Sequence, residues 1–429
     1  MTGSVNDNNN QPLVGATITA IHLPTGTKYA TVSRSNGSFN IPDMRPGGPY
    51  SVEVSFVGFE TQKLSDVFLK LAEAYSLTVA MPKPGTVLEN VVVSTQRRNP
   101  IFNSRRTGAI TNLNRAQIER LPSISRSVND LTRATPQSNG SSIAGGNYRQ
   151  NNFTIDGSDF NNSFGIGSNL PADGSPISLD AIDEISVNIS PFDIRQSGFI
   201  GSSINAVTRS GTNTFQGSVY QYWRNEKQQG DKVGKTTFVR SPFKFKQWGV
   251  RFGGPIVKNK VFFFFNYETD NQPKFVQTRT AATANAPFGP SNPNVARPTA
   301  DSLTIISNFL RTEYGYETGP FDNYTTEIKH TKILGRLDWN ISQGQHLSIR
   351  YSQVEGGSPN PPSTSTSGSN IVGVTGNRND INAMWFSNSN YFQGANFYSL
   401  AAELTSKFGK RVSNESEGRF IAAIFVDCI

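Results

Sequence analysis

The stretch KILGRLDWNI, from Lys332 to Ile341, alternates apolar and polar side chains along most of its length. Successive side chains of a β-strand point to opposite faces, so one face of this segment is apolar and the other is polar. The apolar face holds Ile333, Leu337, Trp339 and Ile341, and the polar face holds Lys332, Arg336, Asp338 and Asn340. The segment is therefore predicted to be a strand with a different environment on each face.

Three further segments show the same division into two faces. They are Trp248, Val250 and Phe252 against Gln247 and Arg251; Leu347, Ile349 and Tyr351 against His346, Ser348 and Arg350; and Tyr398, Leu400, Leu404 and Phe408 against Ser399, Glu403 and Lys407. From Phe215 onward about seven strands of about ten residues can be placed, the length that a tilted strand needs to cross a bilayer. A soluble β-sandwich gives the same alternation, so the strand pattern alone leaves both architectures open.

The connections between these strands differ in length. Long polar segments at Asn225–Pro242, Thr269–His330 and Gln353–Asp380 alternate with tight turns predicted at Lys258–Lys260, Ser342–Gln345 and Gln393–Ala395. Long loops on one side and short turns on the other are typical of an outer-membrane barrel. The connection after Phe408 is short where this alternation requires a long one, which is an irregularity in the predicted pattern.

The composition of the 429-residue chain indicates two or three domains built mainly of strands. Glycine (38), proline (24) and aromatic residues (11%) accompany only 17% charged residues, which favours strands and turns over helices. The formal net charge is +8, but the basic residues form no dense cluster, which argues against a nucleic-acid partner. The single cysteine, Cys428, excludes an internal disulfide framework and a cysteine-rich zinc site.

Two observations concern export of the protein. No run of about 18 apolar residues occurs, so no transmembrane helix is predicted. The first residues, Met1–Val5, lack the basic and apolar regions of a signal peptide, so an exported protein would be represented here by a fragment.

The N-terminal part, residues 1–83, is predicted to be an all-β sandwich. Short alternating runs at Thr17–Ile21, Ser38–Ile41 and Tyr50–Phe56 are separated by glycine- and proline-rich turns. A linker at residues 84–100 follows, and residues 101–212 are predicted to form a mixed α/β domain. Its predicted helices lie at Thr111–Pro122 and Ser127–Leu131, and its predicted strands at Phe153–Gly157, Ile182–Ile189 and Ser203–Thr208.

The order of these segments resembles that of TonB-dependent outer-membrane receptors, in the Oar-like subgroup. Gly3–Met81, with Asp7, Pro12–Ala16, Asn36–Phe39 and Gly58–Phe59, resembles the carboxypeptidase regulatory-like sandwich often found ahead of such receptors. The segments similar to the family's plug domain, plug-to-barrel junction and early barrel strands are Ile118–Pro122, Thr154–Gly157, Ile182–Val187, Gly201–Gly217 and Phe252–Phe264. The resemblance covers nearly the whole chain.

The resemblance implies a mainly β protein: a β-sandwich, a mixed α/β plug domain and, over residues 213–429, the first strands of an antiparallel transmembrane β-barrel. Barrels of this family have about 22 strands, so the chain would span about a third of one. The last residues, Ser416–Ile429, lose the polar alternation, and their place in the natural protein is left open. The implied function is active transport of an unidentified small solute, glycan or peptide across the bacterial outer membrane, gated by the plug and without a cofactor.

One short segment has a candidate role in energy coupling. Val91, Val92 and Val93 favour extended backbone and lie between Pro84 and the polar stretch Gln96–Pro100. An extended segment on a tether can add as a strand to a partner's sheet. The family's TonB box lies at this position, so the resemblance implies that Glu89, Asn90, Val91, Val92, Val93 and Ser94 bind a TonB-type periplasmic protein. An ordinary first strand of the plug, or last strand of the sandwich, is the alternative.

The chain offers few groups for catalysis or metal binding. His22, His330 and His346 are isolated in sequence, so each is expected to be an exposed loop or strand residue rather than a metal ligand. Asp156 and Asp159 could bind a cation, but Asp156-Gly157 is more simply a turn. No enzymatic activity is expected. The main alternative is a cell-surface adhesion or glycan-binding protein made of β-sandwiches, and a carboxypeptidase is a distant third.

Overall fold

The computed structural model describes residues 1–71, 73–84, 110–123, 126–139, 142–161, 170, 175–189, 191, 199–228, 230–234, 236–237, 243–274, 279–362, 381–408 and 412–428. Within these residues, no helix is both long enough and apolar enough to cross a membrane. Most of the described backbone is extended, and it forms three successive units: a sandwich, a plug and a barrel sheet.

The N-terminal unit is a β-sandwich, as predicted. Its strands are β1 (Thr2–Asp7), β2 (Thr17–His22), β3 (Thr27–Val32), β4 (Ser38–Asn40), β5 (Gly47–Ser55), β6 (Gln62–Leu69) and β7 (Ser76–Met81). They form a three-stranded sheet in the order β4-β1-β7 and a four-stranded sheet in the order β3-β2-β5-β6. Apolar residues that alternate along the strands, among them Val5, Ile18 and Val52, fill a core between the two sheets.

The second unit, the plug, combines a five-stranded sheet with two short helices. Its elements are β8 (Ile110–Asn114), α1 (Arg115–Arg120), α2 (Val128–Thr132), β9 (Ser138–Asn139), β10 (Ser142–Ile143), β11 (Asn152–Ile155), β12 (Ser158–Asp159), β13 (Ile182–Asn188) and β14 (Ser203–Thr208), with 3-10 turns at Tyr148–Gln150 and Leu179–Ala181. The sheet order is β12-β11-β14-β13-β8. Strands β11 and β14 are parallel, so the chain between them crosses over the sheet.

The first plug helix is shorter than predicted. Residues 111–114 belong to β8, which pairs with β13, so they were wrongly assigned to the helix. The helix begins after Asn114, whose side chain accepts the Gln117 N–H at 3.0 Å, while the Gln117 side chain accepts the Asn114 N–H at 3.0 Å. This capping box fixes the start of the helix. The second helix follows Ser127, as predicted.

The third unit is dominated by one sheet of long antiparallel strands, here called the barrel sheet. Its strands are β15 (Gln216–Asn225), β18 (Lys244–Val257), β19 (Val261–Lys274), β22 (Thr326–Ser342), β23 (Gln345–Glu355), β24 (Gly357–Asn360), β25 (Tyr391–Phe408) and β26 (Val412–Cys428). Their order is β15-β18-β19-β22-β23-β25-β24, and β26 also pairs with β25. Seven strands of 10 to 18 residues confirm the predicted number, but most exceed the predicted ten residues.

The connections carry the remaining elements of this unit. These are β16 (Lys232–Val233), β17 (Thr236–Thr237), β20 (Thr280–Ala282), β21 (Val295–Thr299), helix α3 (Ala300–Tyr314) and 3-10 turns at Glu226–Gln228 and Ser387–Ser389. Thr299 caps the start of helix α3, because its hydroxyl accepts a hydrogen bond from the Ser302 N–H. Gly315 caps the end of the helix in a left-handed conformation with φ 63°.

The predicted turn at Gln393–Ala395 is wrong, because these residues lie inside β25 and pair with both β24 and β26. Gly394 opposes Gly357, and a glycine inside a strand marks a close approach of backbones as readily as a turn. The short connection instead joins Phe408 to Val412, which face each other across it. The irregularity after Phe408 therefore disappears. Residues 416–428 continue β26 in register with β25.

Burial of the side chains separates the two architectures that the sequence left open. The polar faces of the long strands are buried, since Gln247 is 1%, Lys332 3% and Ser399 4% exposed. The apolar faces are open, since Trp248 is 46% and Leu400 48% exposed. A soluble sandwich buries its apolar face, whereas a membrane barrel turns that face toward lipid. The barrel prediction is confirmed.

Candidate plug–barrel interface

The inward face of the barrel sheet presents a buried cluster of charged side chains, here called the Glu268 cluster. Strand register places Glu268 directly opposite Lys332 and Asp270 directly opposite His330. Lys332 Nζ lies 2.8 Å from Glu268 Oε1 and 3.3 Å from Asp270 Oδ2, and His330 Nδ1 lies 2.9 Å from Asp270 Oδ1. All four side chains are nearly inaccessible to solvent, so the Lys332 ammonium and the carboxylates of Glu268 and Asp270 depend on one another for stabilisation.

The Glu268 cluster also binds the plug. Lys332 Nζ donates to the Ser175 hydroxyl at 2.8 Å, and the Ser178 hydroxyl donates to Glu268 Oε2 at 2.9 Å. Tyr220 of β15 donates its hydroxyl to the same Glu268 oxygen at 2.6 Å. Ser178 precedes the 3-10 turn at Leu179–Ala181, so this turn of the plug is held against the barrel wall by charge-assisted hydrogen bonds.

A second contact holds a tight turn of the plug. Asp156 and Gly157 have φ values of 47° and 81°, the left-handed conformations of a hairpin turn between β11 and β12. Arg350 donates to the Asp156 carbonyl oxygen at 3.0 Å, and Arg419 donates to the Gly157 carbonyl oxygen at 2.6 Å. Arg336 Nη1 lies 3.7 Å from Asp156 Oδ2. These three arginines are here called the arginine clamp. They lie on three strands, β22, β23 and β26, and all of them contact this one turn.

Acidic residues of the barrel sheet balance the arginine clamp. Arg336 Nη2 lies 2.8 Å from Asp338 Oδ1, and one nitrogen of Arg350 lies 3.6 Å from Glu403 Oε2. Glu417 pairs with both Arg350 and Arg419. The carboxylate of Asp156 also accepts the Thr208 N–H at 2.9 Å, which fixes the turn to the end of β14. Barrel and plug therefore share one continuous polar network at this turn.

Apolar contacts accompany the polar ones. The rings of Phe160 in the plug and Phe397 in β25 stack with centroids 4.3 Å apart. Four inward-facing barrel residues join the hydrophobic core of the plug: Phe264, Leu334, Val354 and Phe397. The interface thus has a limited apolar contact surrounded by buried ionic and hydrogen-bonded groups.

The residues selected from the sequence have different outcomes. The TonB-box candidates, Glu89–Ser94, lie outside the described residues. Asp156-Gly157 is a turn, as preferred over a cation site. The described part of the chain contains no group of three or more His, Cys, Asp or Glu side chains placed to hold a metal ion.

The expectation that the histidines are exposed is wrong for two of them. His330 is fully buried, with its Nδ1 2.9 Å from Asp270 Oδ1 and its Nε2 3.4 Å from the Gly357 carbonyl oxygen. His22 is buried against Thr25 in the sandwich, with its Nδ1 2.7 Å from the Thr25 hydroxyl. Burial lowers the pKa of His22 to about 3, with Arg45 adding to this effect, so it is neutral at physiological pH.

The Glu268 cluster was not predicted, although the sequence carries a signal for it. Glu268 and Asp270 are two residues apart, as are His330 and Lys332. This spacing puts each pair on one face of a strand, where oppositely charged residues of neighbouring strands can face each other. The pairing itself depends on the register between β19 and β22, which the long connection between them leaves undetermined.

Comparison with known proteins places these features in a family. Residues 1–82 match the carboxypeptidase regulatory-like domain, and residues 207–415 match the outer membrane beta barrel domain. The TonB-dependent transporter Oar of Myxococcus xanthus is 24% identical over 360 residues, which cover 79% of this chain and 32% of that protein. The chain thus spans about a third of the length of the curated relative that it matches.

Two solved structures are among those that the chain resembles. A mutant ferric enterobactin receptor PfeA from Pseudomonas aeruginosa, in complex with enterobactin, is 14% identical with a TM-score of 0.46, over 74% of this chain and 41% of that one. The siderophore receptor PirA from the same organism is 11% identical with a TM-score of 0.45, over 75% of this chain and 42% of that one. The chain thus combines a carboxypeptidase regulatory-like domain with apolar-outward strands of an outer membrane beta barrel domain, and it is similar to the TonB-dependent transporter Oar.

Proposed function

We propose that the chain is part of a transporter that imports a solute across the outer membrane and is gated by its plug. The observation that carries the proposal is the plug's position against the inward face of the barrel sheet, where it is held by the Glu268 cluster and the arginine clamp. A wide barrel leaves a channel unless its lumen is filled. Transport therefore requires that these contacts open.

A tether between plug and barrel tests this gating. Ser175→Cys and Lys332→Cys, in a Cys428→Ser background, replace two side chains that lie in contact, and a short bis-methanethiosulfonate reagent would join them through reducible disulfide bonds. The joined receptor should still bind solute at the cell surface, while uptake should fall at least tenfold and recover on reduction. Each single-cysteine variant, treated in the same way, controls for loss of the native hydrogen bond. Uptake at the parental rate by the joined receptor would refute gating by movement of this part of the plug.

Energy input is proposed to come from a TonB-type periplasmic protein that pairs with Glu89–Ser94 as an added strand. Val92→Pro removes one backbone donor and should abolish energised uptake while leaving surface binding intact. Val92→Ile, which keeps the donor and the β-branched side chain, is the matched control. If Val92→Pro cells and parent cells took up the solute equally at the same receptor abundance, Glu89–Ser94 would not be the TonB box.

The solute can be identified by comparing uptake and growth of a deletion strain with its parent across iron chelates, vitamins, glycans and peptides. A growth defect on one class, restored by the intact gene but not by Val92→Pro, would assign the substrate. No defect on any class would contradict a role in nutrient import.

A further inference from the structure

The backbone of Leu71 links the sandwich to the plug. Leu71 lies just after β6, and its N–H donates to Glu184 Oε1 at 3.0 Å. The Leu71 carbonyl oxygen accepts the Asn112 side-chain amide at 2.9 Å. Asn112 and Glu184 lie on the neighbouring strands β8 and β13, so both polar groups of Leu71 are satisfied by one edge of the plug sheet.

The sandwich also touches the rim of the barrel sheet. Asn340, near the end of β22, donates to the Thr27 hydroxyl at 3.0 Å, and the N–H of Asn213 donates to the Pro24 carbonyl oxygen at 2.8 Å. Lys407, near the end of β25, hydrogen-bonds the Ala30 carbonyl oxygen. Asn340 and Lys407 adjoin the short connections, which in outer-membrane barrels face the periplasm. The sandwich therefore lies across the periplasmic end of the barrel sheet.

A cavity of about 1140 Å³ lies where the three units meet. The sandwich contributes Tyr29 and Arg45 to its lining, the plug contributes Asp159 and Asn205, and the barrel sheet contributes Glu403. The lining is strongly charged, and a wall of the cavity is formed by the sandwich itself.

The attachment of the sandwich is suited to release. Its hydrophobic core is separate from that of the plug and barrel, so its fold does not depend on docking. The contacts that hold it are mostly hydrogen bonds at the edge of each unit, together with one ring contact between Tyr29 and His346, whose centroids lie 5.6 Å apart. Interfaces between domains that move relative to one another are similarly polar. Water can replace such contacts at little net cost.

We propose that the sandwich is a reversible cap, docked on the plug and on the periplasmic rim, that leaves this position during each transport cycle. The inference rests on the proposed transport function. It gives the sandwich a regulatory role, whereas transport through a barrel gated by a plug requires no role for the sandwich. In the docked state the sandwich covers the cavity, and in the released state the cavity opens to the periplasm.

Cross-linking in cells tests the cap. Thr27→Cys and Asn340→Cys, in a Cys428→Ser background of the full receptor, place thiols on side chains that are in contact across the interface. A short bis-methanethiosulfonate reagent should join them in high yield in cells treated with a protonophore. The yield should fall several-fold in energised cells supplied with the solute. Thr17→Cys with Val32→Cys, which face each other within the sandwich, should give the same yield in both conditions.

Two results would overturn the proposal: failure of the Thr27–Asn340 pair to cross-link above the single-cysteine variants, or an equal yield in energised and de-energised cells. Uptake provides a separate readout. Cells with the cross-link should import several-fold less solute than the same cells after reduction. Import at the parental rate with the cross-link intact would refute the cap and leave the transport function standing, whereas absence of uptake in the parent would refute the transport function.

Discussion

Replacement of Glu184 by glutamine should remove a pH dependence from docking of the sandwich. Glu184 is buried in the plug sheet, where it accepts the N–H of Leu71. Burial raises its pKa from 4.5 to about 7, with a further increase from Asp183 and Glu73, while the Leu71 hydrogen bond and Lys70 act in the opposite direction. Glutamine keeps the shape of the side chain and the acceptor oxygen but cannot ionise.

The sign of the effect follows from the direction of the pKa change. A carboxyl group with a raised pKa in the docked state binds its proton more tightly there than when it is solvated. Docking is therefore strongest at acidic pH and weakens as the pH rises through about 7, the pKa of Glu184 in the docked state. The full rise corresponds to about 3 kcal/mol, and because the plug causes part of the burial, about 1 to 2 kcal/mol should depend on docking, roughly a tenfold change in the docking equilibrium.

Spin labels can measure the docked fraction in the purified receptor. Val57→Cys lies on an exposed loop of the sandwich, and Gln343→Cys lies in the turn after β22. The distance distribution between the labels should broaden toward longer distances as the pH rises from 5.5 to 8.5, and this change should vanish in Glu184→Gln. Asp183→Asn alters the adjacent carboxylate, keeps the Leu71 hydrogen bond and should retain most of the dependence. Identical pH responses of the parent and Glu184→Gln would refute the reasoning.

Three further predictions concern the barrel and its charges. Leu400→Arg on the outward face should destabilise the folded receptor by about 2 to 4 kcal/mol, whereas Leu400→Phe should be tolerated, as measured by resistance of the folded band to SDS before heating. Lys332→Met should destabilise the receptor by about 3 to 5 kcal/mol because it leaves buried Glu268 unpaired, and addition of Glu268→Gln should restore much of the loss in thermal unfolding. The 429-residue chain expressed without detergent should aggregate because its open sheet exposes an apolar face and unpaired edges; a soluble monomer that unfolds cooperatively would contradict the barrel.

The elements that follow from local pattern could be predicted from the sequence. The alternation in β22 gave both the strand and its two faces, and the turn at Asp156-Gly157 follows from residue type alone. The predicted turn at Gln393–Ala395 failed because a glycine can serve either a turn or a close approach of two strands. Whether Gly394 forms a turn or lies inside a strand depends on pairing with β24 and β26, and this pairing is set by the tertiary structure.

The candidate site could be predicted only in part. The polar side of β22 was recognisable, but the contact of Lys332 with Ser175 joins residues that are 157 positions apart. No periodicity links such positions, because the plug is placed by its own sheet and core. Arg419 illustrates the same limit, since its partner at Gly157 belongs to a different unit. The polar character of the inward face of the barrel sheet could be predicted from the sequence. Which plug residues contact that face could be learned only from the three-dimensional structure.

The plug and the sandwich are attached by interactions that differ from those within each unit. Apolar residues alternate into a core of its own in the sandwich, and into a plug core that takes in only four residues of the barrel sheet, so most of the apolar burial lies within each unit. Between the units the dominant contacts are ion pairs and hydrogen bonds, which contribute little net stability because their desolvation offsets much of their attraction. Such groups can exchange their partners for water when the units separate, whereas an extended apolar interface would expose surface at a cost that grows with its area. The distribution of polar and apolar contacts therefore favours motion between the units over unfolding within them, as the proposed gating requires.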